Sequence, residues 1–226
     1  MKSKIYILLI SLLFSATIFA QETKTIYLMK DGKAIHKVAV SDIDSIIFYK
    51  SEFTQSDFVL INGVKWATRN VDAPGTFTVN PEDAGMFYQW NRSTGWAATG
   101  SVTGWDSSTP TCTTWETANN VCPVGYRVPT NTEIQSLVNS GSRWTTQNGV
   151  TGRVFGSGDN TIFLPAAGYR YFSSGSLINK GWNGYYWSST QYASGSAYGL
   201  TFNSDDAYRF TGWDKAFGLS CRCVAE

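Results

Sequence analysis

Four cysteines are the residues of this chain best suited to covalent or metal chemistry: Cys112, Cys122, Cys221 and Cys223. An even number of cysteines in a protein that meets an oxidising compartment predicts a pair of disulfides. The alternative is zinc, which usually takes cysteine pairs of the C-x₂₋₄-C type or histidines. Here the cysteines lie ten and two residues apart, and the single histidine, His36, is far from them in the sequence. The spacing therefore favours disulfides over a zinc site.

Catalytic residues do not form a recognisable constellation in the sequence. There is no G-x-S-x-G elbow, no H-E-x-x-H motif and no nucleotide-binding loop. The lone histidine leaves no general base for a nucleophile. Acid pairs such as Glu82-Asp83 are adjacent, and adjacent side chains of an extended segment point in opposite directions. We therefore expect a protein that is not an enzyme.

Recognition chemistry gives the stronger signal, and it lies in residues 185–210, YYWSSTQYASGSAYGLTFNSDDAYRF. Tyrosine, serine, glycine and asparagine dominate this stretch. Tyrosine offers a large, rigid contact area at low entropic cost, and the small polar residues offer adaptable hydrogen bonds, as in antibody loops. We predict that ligand contacts come from this stretch and the residues just after it: Tyr192, Ser194, Tyr198, Asn203, Asp205, Tyr208, Trp213 and Asp214.

Some of these aromatic residues also fit a structural role. In AYGLTF, strand alternation places Tyr198 on the same face as Leu200 and Phe202, which makes Tyr198 a candidate core residue as well. Trp96 and Trp105 lie in a loop rich in glycine, serine and threonine. Their rings fit stacking on a sugar and filling a core equally well.

Composition and charge narrow the classes of partner. The chain has 226 residues, of which 42% are hydrophobic and 15% charged, and this predicts a folded domain with appendages. The formal net charge is only +1, and lysine and arginine form no cluster. Nucleic acids and acidic membranes are bound through such clusters. We therefore expect a protein or glycan ligand on a surface, and no nucleic acid.

Residues 1–20, MKSKIYILLISLLFSATIFA, have the pattern of a secretory signal peptide. Two lysines precede an apolar stretch, and Ala20 ends it at a plausible cleavage point. A membrane anchor is the alternative, but the apolar run is short for a span. We expect an exported protein at the cell surface, in the periplasm or outside the cell, with no membrane insertion after signal removal.

Three further segments follow the leader. Residues 21–50 are predicted to form a small β-hairpin unit, because apolar runs flank the turn signal Asp31-Gly32. Such a short unit buries little apolar surface alone and fits an assembly handle or a spacer. Residues 51–57 are polar and predict a linker, and residues 58–226 form the main domain. This domain opens with a second hairpin signal, Asn62-Gly63.

Two helices are predicted in the main domain. The first is short, from about Thr114 to Asn120. The second begins at Thr130, which with Glu133 has the spacing of a capping box. Apolar residues at helical spacing follow, and Gly141 is a suitable stop. The rest of the chain predicts short strands, and alternation in the last one turns Leu219, Cys221 and Cys223 towards the interior.

Four phrases carry a resemblance to a known family: TWETANNVCPVGYRVPTNTEIQSL (114–137), FLPAAGYR (163–170), YYWSST (185–190) and GLSCRCV (218–224). In this order they resemble the Fibrobacter succinogenes major paralogous domain, over about residues 64–224. The resemblance implies an α+β, C-type-lectin-like fold with two helices and short twisted antiparallel strands. It also implies a disulfide between Cys122 and Cys223, and we infer a second bridge between the remaining Cys112 and Cys221. The recurring WSST phrase suggests that Trp187 lies in the core.

The same phrases resemble, more loosely, the variable proteins of diversity-generating retroelements. In those proteins the segment from a WSS phrase to a closing RCV is the variable ligand surface, which corresponds to residues 187–224 here. We therefore expect a ligand-binding or adhesion module and, as a hypothesis, a diversified receptor. Calcium-dependent sugar binding is less favoured, because the E-P-N, Q-P-D and W-N-D phrases of many C-type lectins are absent. We expect no cofactor.

Two other functions stay open at this point. A subunit or tip adhesin of a surface fibre would use residues 21–50 for assembly. The sulfatase-modifying family, which the phrases also resemble, oxidises a substrate cysteine with an active-site cysteine pair. Cys221 and Cys223 are two residues apart on one face of a strand, and this fits separate disulfides better than that pair.

Overall fold

The computed structural model describes residues 25–30, 33–39 and 57–226. The chain divides into two compact units, Met1–Glu52 and Phe53–Glu226. The predicted signal peptide (1–20) and nearly all of the predicted linker (51–57) lie outside the described residues. In the described part, no helix is long and apolar enough to cross a membrane.

The first unit contains the predicted hairpin. Strand β1 (Thr25–Lys30) pairs antiparallel with β2 (Lys33–Ala39). The pairing has a bulge between Leu28 and Met29. The hairpin is therefore confirmed, while its turn residues, Asp31 and Gly32, lie outside the described residues.

The second unit consists mainly of β-strands, and the expected α+β class with two helices is wrong. Strands make up 42% of the structure and helical residues 7%, with one α-helix, α1 (Asn131–Asn139), in the described chain. The strands of this unit are β3 (Phe58–Ile61), β4 (Val64–Ala67), β5 (Phe87–Tyr88), β6 (Gly95–Trp96), β7 (Tyr126–Arg127), β8 (Ser142–Gln147), β9 (Val150–Ser157), β10 (Asn160–Pro165), β11 (Tyr169–Arg170), β12 (Leu177–Ile178), β13 (Gly184–Ala193), β14 (Ser196–Phe202), β15 (Ala207–Asp214), β16 (Leu219–Ser220) and β17 (Val224–Ala225).

Helix α1 forms where the sequence predicts it. The hydroxyl of Thr130 accepts the backbone N–H of Glu133, and the Glu133 carboxylate accepts the backbone N–H of Thr130, so the capping box is complete. Ile134 and Leu137 form the buried face. Burial opposes ionisation of Glu133, but hydrogen bonds from Arg127 and Thr130 outweigh it and lower its pKa.

The other predicted helix, Thr114 to Asn120, does not form. The segment contains only one 3₁₀ turn, Thr117–Asn119, with no side-chain cap and no buried residue. The Trp115 indole donates to the carbonyl of Asn119 and packs edge-on against Trp90. A segment without an apolar stripe has no face to bury as a helix, so these contacts determine its path instead.

Five sheets make up the described fold. A six-stranded sheet has the order β15-β14-β13-β16-β5-β6, in which β13 and β16 run parallel. A four-stranded sheet, β3-β4-β17-β7, brings the start of the domain beside its last strand. The predicted turn at Asn62-Gly63 joins β3 to β4 with both residues at positive φ, so this hairpin is confirmed. Smaller sheets are β10-β9-β8, β11-β12 and the β1-β2 hairpin.

Two hydrophobic clusters lie on opposite sides of the six-stranded sheet. Neighbouring residues of a strand point to opposite faces, and Tyr186 and Trp187 belong to different clusters. The cluster on the Trp187 side includes Tyr88, Trp90 and Leu219. The cluster on the Tyr186 side contains the buried face of α1, Leu200 and Phe202.

One disulfide is present, between Cys122 and Cys223, so the bridge that the family resemblance implies is confirmed. The inferred second bridge is wrong, since Cys112 and Cys221 are free thiols. Cys221 points into the same cluster as Leu219 and Cys223, as the alternation predicts. Burial raises the pKa of the Cys221 thiol, so this thiol stays protonated at neutral pH. Cys112, in contrast, is only partly buried and packs at the edge of that cluster.

Arginines of the family phrases are structural. Arg222 is buried and donates to the side chain of Asn70 and to the carbonyls of Ala67 and Phe163. Burial lowers the pKa of its guanidinium to about 10, so it remains charged at neutral pH. Arg170 is equally buried and binds backbone carbonyls alone. These two arginines therefore hold the scaffold together and are not available to a ligand.

Gly168 of the FLPAAGYR phrase is expected to tolerate no side chain. Its φ is +75°, and a Cβ there would lie 2.2 Å from the carbonyl oxygen of Ile178. We expect Gly168→Ala to lower the free energy of unfolding by about 3 kcal/mol, because the strain of a positive φ and the clash of the new Cβ with main-chain atoms both destabilise the folded state. The control is Gly149→Ala, at φ +82° with nothing within 4 Å, which should lose only about 1 kcal/mol. Equal losses in urea unfolding would show that the close approach is unimportant.

Candidate ligand-binding surface

The predicted contact region forms an antiparallel meander of β13, β14 and β15 at one end of the six-stranded sheet. Residues directly opposite one another project on the same face. Thr201 lies opposite Tyr185 on β13 and Tyr208 on β15, and Gly199 lies opposite Phe210. These aromatic rings therefore share one face of the meander. Helix α1 contacts all three strands, and its buried residues belong to the cluster of the other face.

A continuous group of rings covers the face that α1 leaves open. We call it the aromatic belt. Ring centroids of neighbouring members lie 4.6 to 6.3 Å apart, mostly in edge-on or tilted geometry, which is the favoured arrangement for aromatic pairs. Its members are Tyr169, Tyr171, Phe172, Tyr185, Tyr208, Phe210, Trp213 and Phe217.

Trp213 is the centre of the belt. Its ring contacts Tyr169, Tyr185, Phe210 and Phe217 at centroid distances of 5.7, 5.1, 5.0 and 5.0 Å. Six members are half-buried, one is buried and one, Tyr208, is 42% exposed. Most of the belt therefore keeps part of its ring surface in contact with solvent.

Two tyrosines of the belt are kept uncharged at neutral pH by burial. Burial raises the pKa of Tyr169 and of Tyr185, and the Tyr185 hydroxyl also accepts a hydrogen bond from Asn179. A surface of neutral rings edged with hydroxyl groups gains free energy mainly by burying apolar area and adds a few directional hydrogen bonds. Such a surface can bind a ligand through apolar contact and through hydrogen bonds to its hydroxyl groups.

The predicted contact residues do not form one surface. Tyr208 and Trp213 belong to the belt. Tyr192 and Tyr198 pair with each other, and Tyr198 continues the row of Leu200 and Phe202, whose side chains lie in the cluster behind the sheet. Tyr198 is half-buried at the end of that row, whereas Tyr192 is 53% exposed.

The polar contact residues lie at two ends of the meander. Ser194, in the turn between β13 and β14, is exposed, and half-buried Asp214 accepts hydrogen bonds from Thr109 and from the backbone of Ala216. Asn203 and Asp205 lie in the β14–β15 loop, where the Asn203 side chain accepts the backbone N–H of Asp205. The seven residues of β14 separate these ends by about 20 Å, so one small ligand cannot reach both.

Several belt residues were missing from the sequence-based set. Tyr169, Tyr171 and Phe172 come from the segment after FLPAAG, and Phe217 follows the last predicted contact, Asp214. Tyr169, Tyr171 and Phe172 appear in the sequence as a short aromatic run, YRYF. This run has no periodicity, so the sequence does not show that it lies beside the meander. Phe210 was missed because it ends the tyrosine-rich stretch.

A buried lysine fixes the turn beside the belt. The Lys215 ammonium donates to the carbonyls of Cys112 and Ser194 at 2.6 and 2.9 Å and to the Gln191 side chain at 3.1 Å. It also lies 4.5 Å from the centre of the Trp90 ring. Burial lowers its pKa. Because all three acceptors and the ring converge on one cation, the β13–β14 turn is held in a single position.

Trp105 and Trp96 extend the aromatic region away from the meander. The Trp105 indole donates to the carbonyl of Phe172 at 2.7 Å, and its ring centroid lies 4.9 Å from that of Trp96. Backbone of Gly175 and Gly218 approaches the Trp105 ring closely. Both indoles are half-buried and help to pack their loop.

Acidic groups of the loops act as turn residues. In the β14–β15 loop, Asn203 also accepts the backbone N–H of Asp206, and the Asp206 carboxylate accepts that of Ala207. Within residues 57–226, no group of three or more histidine, cysteine, aspartate or glutamate side chains is placed to hold a metal ion.

The C-terminal part of the chain is similar to a recognised domain. A family model described as a domain of unknown function, DUF8237, matches residues 144–224. The match covers less than half of the chain and extends from β8 to β17, so it contains the meander and the whole aromatic belt but leaves out α1. No curated protein matches the chain, and no solved structure does.

Proposed function

We propose that this protein is an exported, non-catalytic binding or adhesion module whose ligand, a protein or a glycan on a surface, docks on the aromatic belt. The observation that carries the proposal is the belt itself, a set of touching rings on the face of the meander that α1 leaves open. Apolar surface that stays partly accessible to solvent in this way is a common feature of interaction sites. Tyrosine and tryptophan are also the residues most enriched where binding energy concentrates.

Export is supported by two features. The leader has the pattern of a secretory signal, and the main domain contains a disulfide, which persists in oxidising compartments. Both are compatible with a protein that meets its ligand outside the cytoplasm.

The same geometry is compatible with a diversified receptor. In the 187–224 stretch, buried residues such as Trp187 and Leu200 alternate with accessible ones such as Tyr192, Tyr208 and Thr211. Substitution at the accessible positions would change the ligand surface without opening the core. A reverse-transcriptase gene next to a near-copy of this coding stretch would support diversification, and its absence from the gene neighbourhood would count against it.

The belt is tested by ligand screening with matched variants. Glycan and protein arrays are probed with the full mature chain, once with calcium and once with chelator. For any ligand found, we expect the Tyr208→Ala, Trp213→Ala double variant to bind at least about 30-fold more weakly, since central aromatic contacts are each worth about 2 kcal/mol or more.

Leu60→Ala serves as the control, because Leu60 is an exposed apolar residue of β3 outside the belt. It should bind like the unmodified protein. Circular dichroism and melting temperature establish that both variants are folded. If the folded double variant bound the ligand as tightly as the unmodified protein, the binding site would lie outside the belt.

A structural subunit of a surface fibre is the second candidate. It is favoured by the outer edge of β15, which pairs with no other strand of the described residues. A free edge is a template for another strand. Fibre assembly predicts a ladder of oligomers in size-exclusion chromatography, whereas the binding module should elute as a monomer.

A further inference from the structure

A second group of side chains, of which Tyr192 is exposed, lies on the other face of the meander from the belt. Arg209 of β15 is opposite Leu200, so its side chain projects on the α1 side of the sheet. Its guanidinium carbon is 5.1 Å from the centre of the Tyr198 ring. The Tyr192 ring meets Tyr198 edge-on at 5.2 Å. We call these three residues the arginine–tyrosine site.

Arg209 differs from the other half-buried and buried arginines of the domain. Arg69, Arg92 and Arg127 pair with carboxylates, and the remaining ones, Arg153, Arg170 and Arg222, donate to backbone carbonyls. Arg209 makes no ion pair or hydrogen bond through its side chain with the residues that the structure describes, and its buried Nε has no partner. Arg209 is thus a cation that packs on an aromatic ring and has no hydrogen-bond acceptor among the described residues.

Basic residues are scarce around Arg209 in the sequence. It is the one basic residue between Lys180 and Lys215 in the sequence, and the Lys215 ammonium is committed to three oxygen acceptors. An arginine stacked on a tyrosine has lost part of its hydration and keeps its planar set of donors, which suits a carboxylate. The missing partner is therefore an anion with two oxygens in one plane.

We propose that the arginine–tyrosine site binds a carboxylate-bearing sugar, such as a sialic or uronic acid unit of a glycan. The carboxylate would accept hydrogen bonds from the guanidinium of Arg209. The apolar face of the same sugar ring would lie against the exposed ring of Tyr192, whose electron-rich face attracts the positively polarised C–H groups.

Size favours a sugar over an acidic peptide. The site consists of three side chains, which is enough to cover one ring, whereas a peptide needs a groove or a strand edge with several pockets. A single acidic sugar brings both required parts, a carboxylate and an apolar ring face, in one unit. Because this site is on the opposite face of the sheet, it does not depend on the belt.

The test titrates the full mature chain with 3′-sialyllactose, lactose, methyl glucuronide and an acetylated di-glutamate peptide, followed by ligand-observed NMR. We expect both acidic sugars to bind and lactose to bind at least about ten-fold more weakly, because it lacks the charged acceptor. Arg209→Gln should weaken sialyllactose binding at least about ten-fold, and Arg209→Lys should be intermediate because it keeps the charge without the planar donors.

Arg143→Gln is the matched control, since Arg143 is an exposed arginine of β8. It should leave the affinity for sialyllactose unchanged. If Arg209→Gln fails to fold, Tyr192→Ala at the exposed end of the site should still weaken sialyllactose several-fold with an unchanged melting temperature. Equal binding of lactose and sialyllactose, or binding of the peptide alone, would overturn the proposal.

Discussion

Replacing Cys122 and Cys223 together with alanine is expected to lower the free energy of unfolding by about 4 kcal/mol. The bridge closes a loop with a sequence separation of 101 residues, so its loss restores a large conformational freedom to the unfolded chain. Both sulfur positions are buried, and their removal also leaves a gap in the cluster that contains Leu219. Equilibrium urea unfolding, monitored by tryptophan fluorescence, measures the loss.

The free cysteine Cys112 provides the control for this prediction. Cys112→Ala removes a thiol of the same size that closes no loop and is only partly buried. Its loss should stay below about 1 kcal/mol. A double variant that is as stable as Cys112→Ala would mean that the bridge contributes little, and the scaffold would then depend on packing alone.

Arg170→Met is expected to lower the free energy of unfolding by about 3 to 5 kcal/mol. The guanidinium donates to the carbonyls of Ala97, Thr99 and Gly100, and to that of Gly175, at 2.6 to 3.1 Å. Methionine fills most of the volume but satisfies none of these acceptors, and a buried carbonyl without a donor is strongly unfavourable. Urea unfolding again measures the change.

Near-ultraviolet circular dichroism should report the local consequence of this substitution. Trp96 and Trp105 pack against each other beside the 97–100 loop, so loosening that loop should reduce the tryptophan signal. The control is Arg143→Met, at an exposed arginine, which should change stability by less than about 0.5 kcal/mol. An Arg170→Met protein with unchanged stability would show that water replaces the guanidinium at these carbonyls.

Local signals were sufficient for some elements. Helix α1 could be predicted because its capping box and apolar stripe involve neighbours within one or two turns, and both are present. The turn at Asn62-Gly63 was predictable for the same reason, since the conformational preference belongs to the turn residues themselves.

Elements that depend on distant partners were not predictable. Residues 114–120 were predicted to form a short helix, but Trp115 packs on Trp90 and the segment forms only a short turn. The fold class was wrong for this reason, and also because many two-residue strands, such as β5 and β16, exist only through their pairing with each other. No window of sequence contains that information.

The composition of residues 185–210 identified the region of the candidate surface but not its faces. Strand alternation assigns faces only while the register is regular, and the register shifts within β13 and between Ala197 and Gly199 of β14. Phe210 and Trp213 are an odd number of residues apart, yet they touch on one face because of the second shift. Regular strand alternation, without this shift, would place Phe210 and Trp213 on opposite faces of the sheet.

The position of the disulfide has a mechanical consequence when the chain is under tension. Tension applied to the chain before Cys122 and after Cys223 passes directly through the sulfur–sulfur bond. The residues between the two cysteines include α1, the meander, the aromatic belt and Arg209. Because the disulfide joins the two ends of this loop, the tension does not pass through it. Stretching the chain from these two ends would therefore extend its N-terminal strands first, while the residues between the two cysteines keep their arrangement.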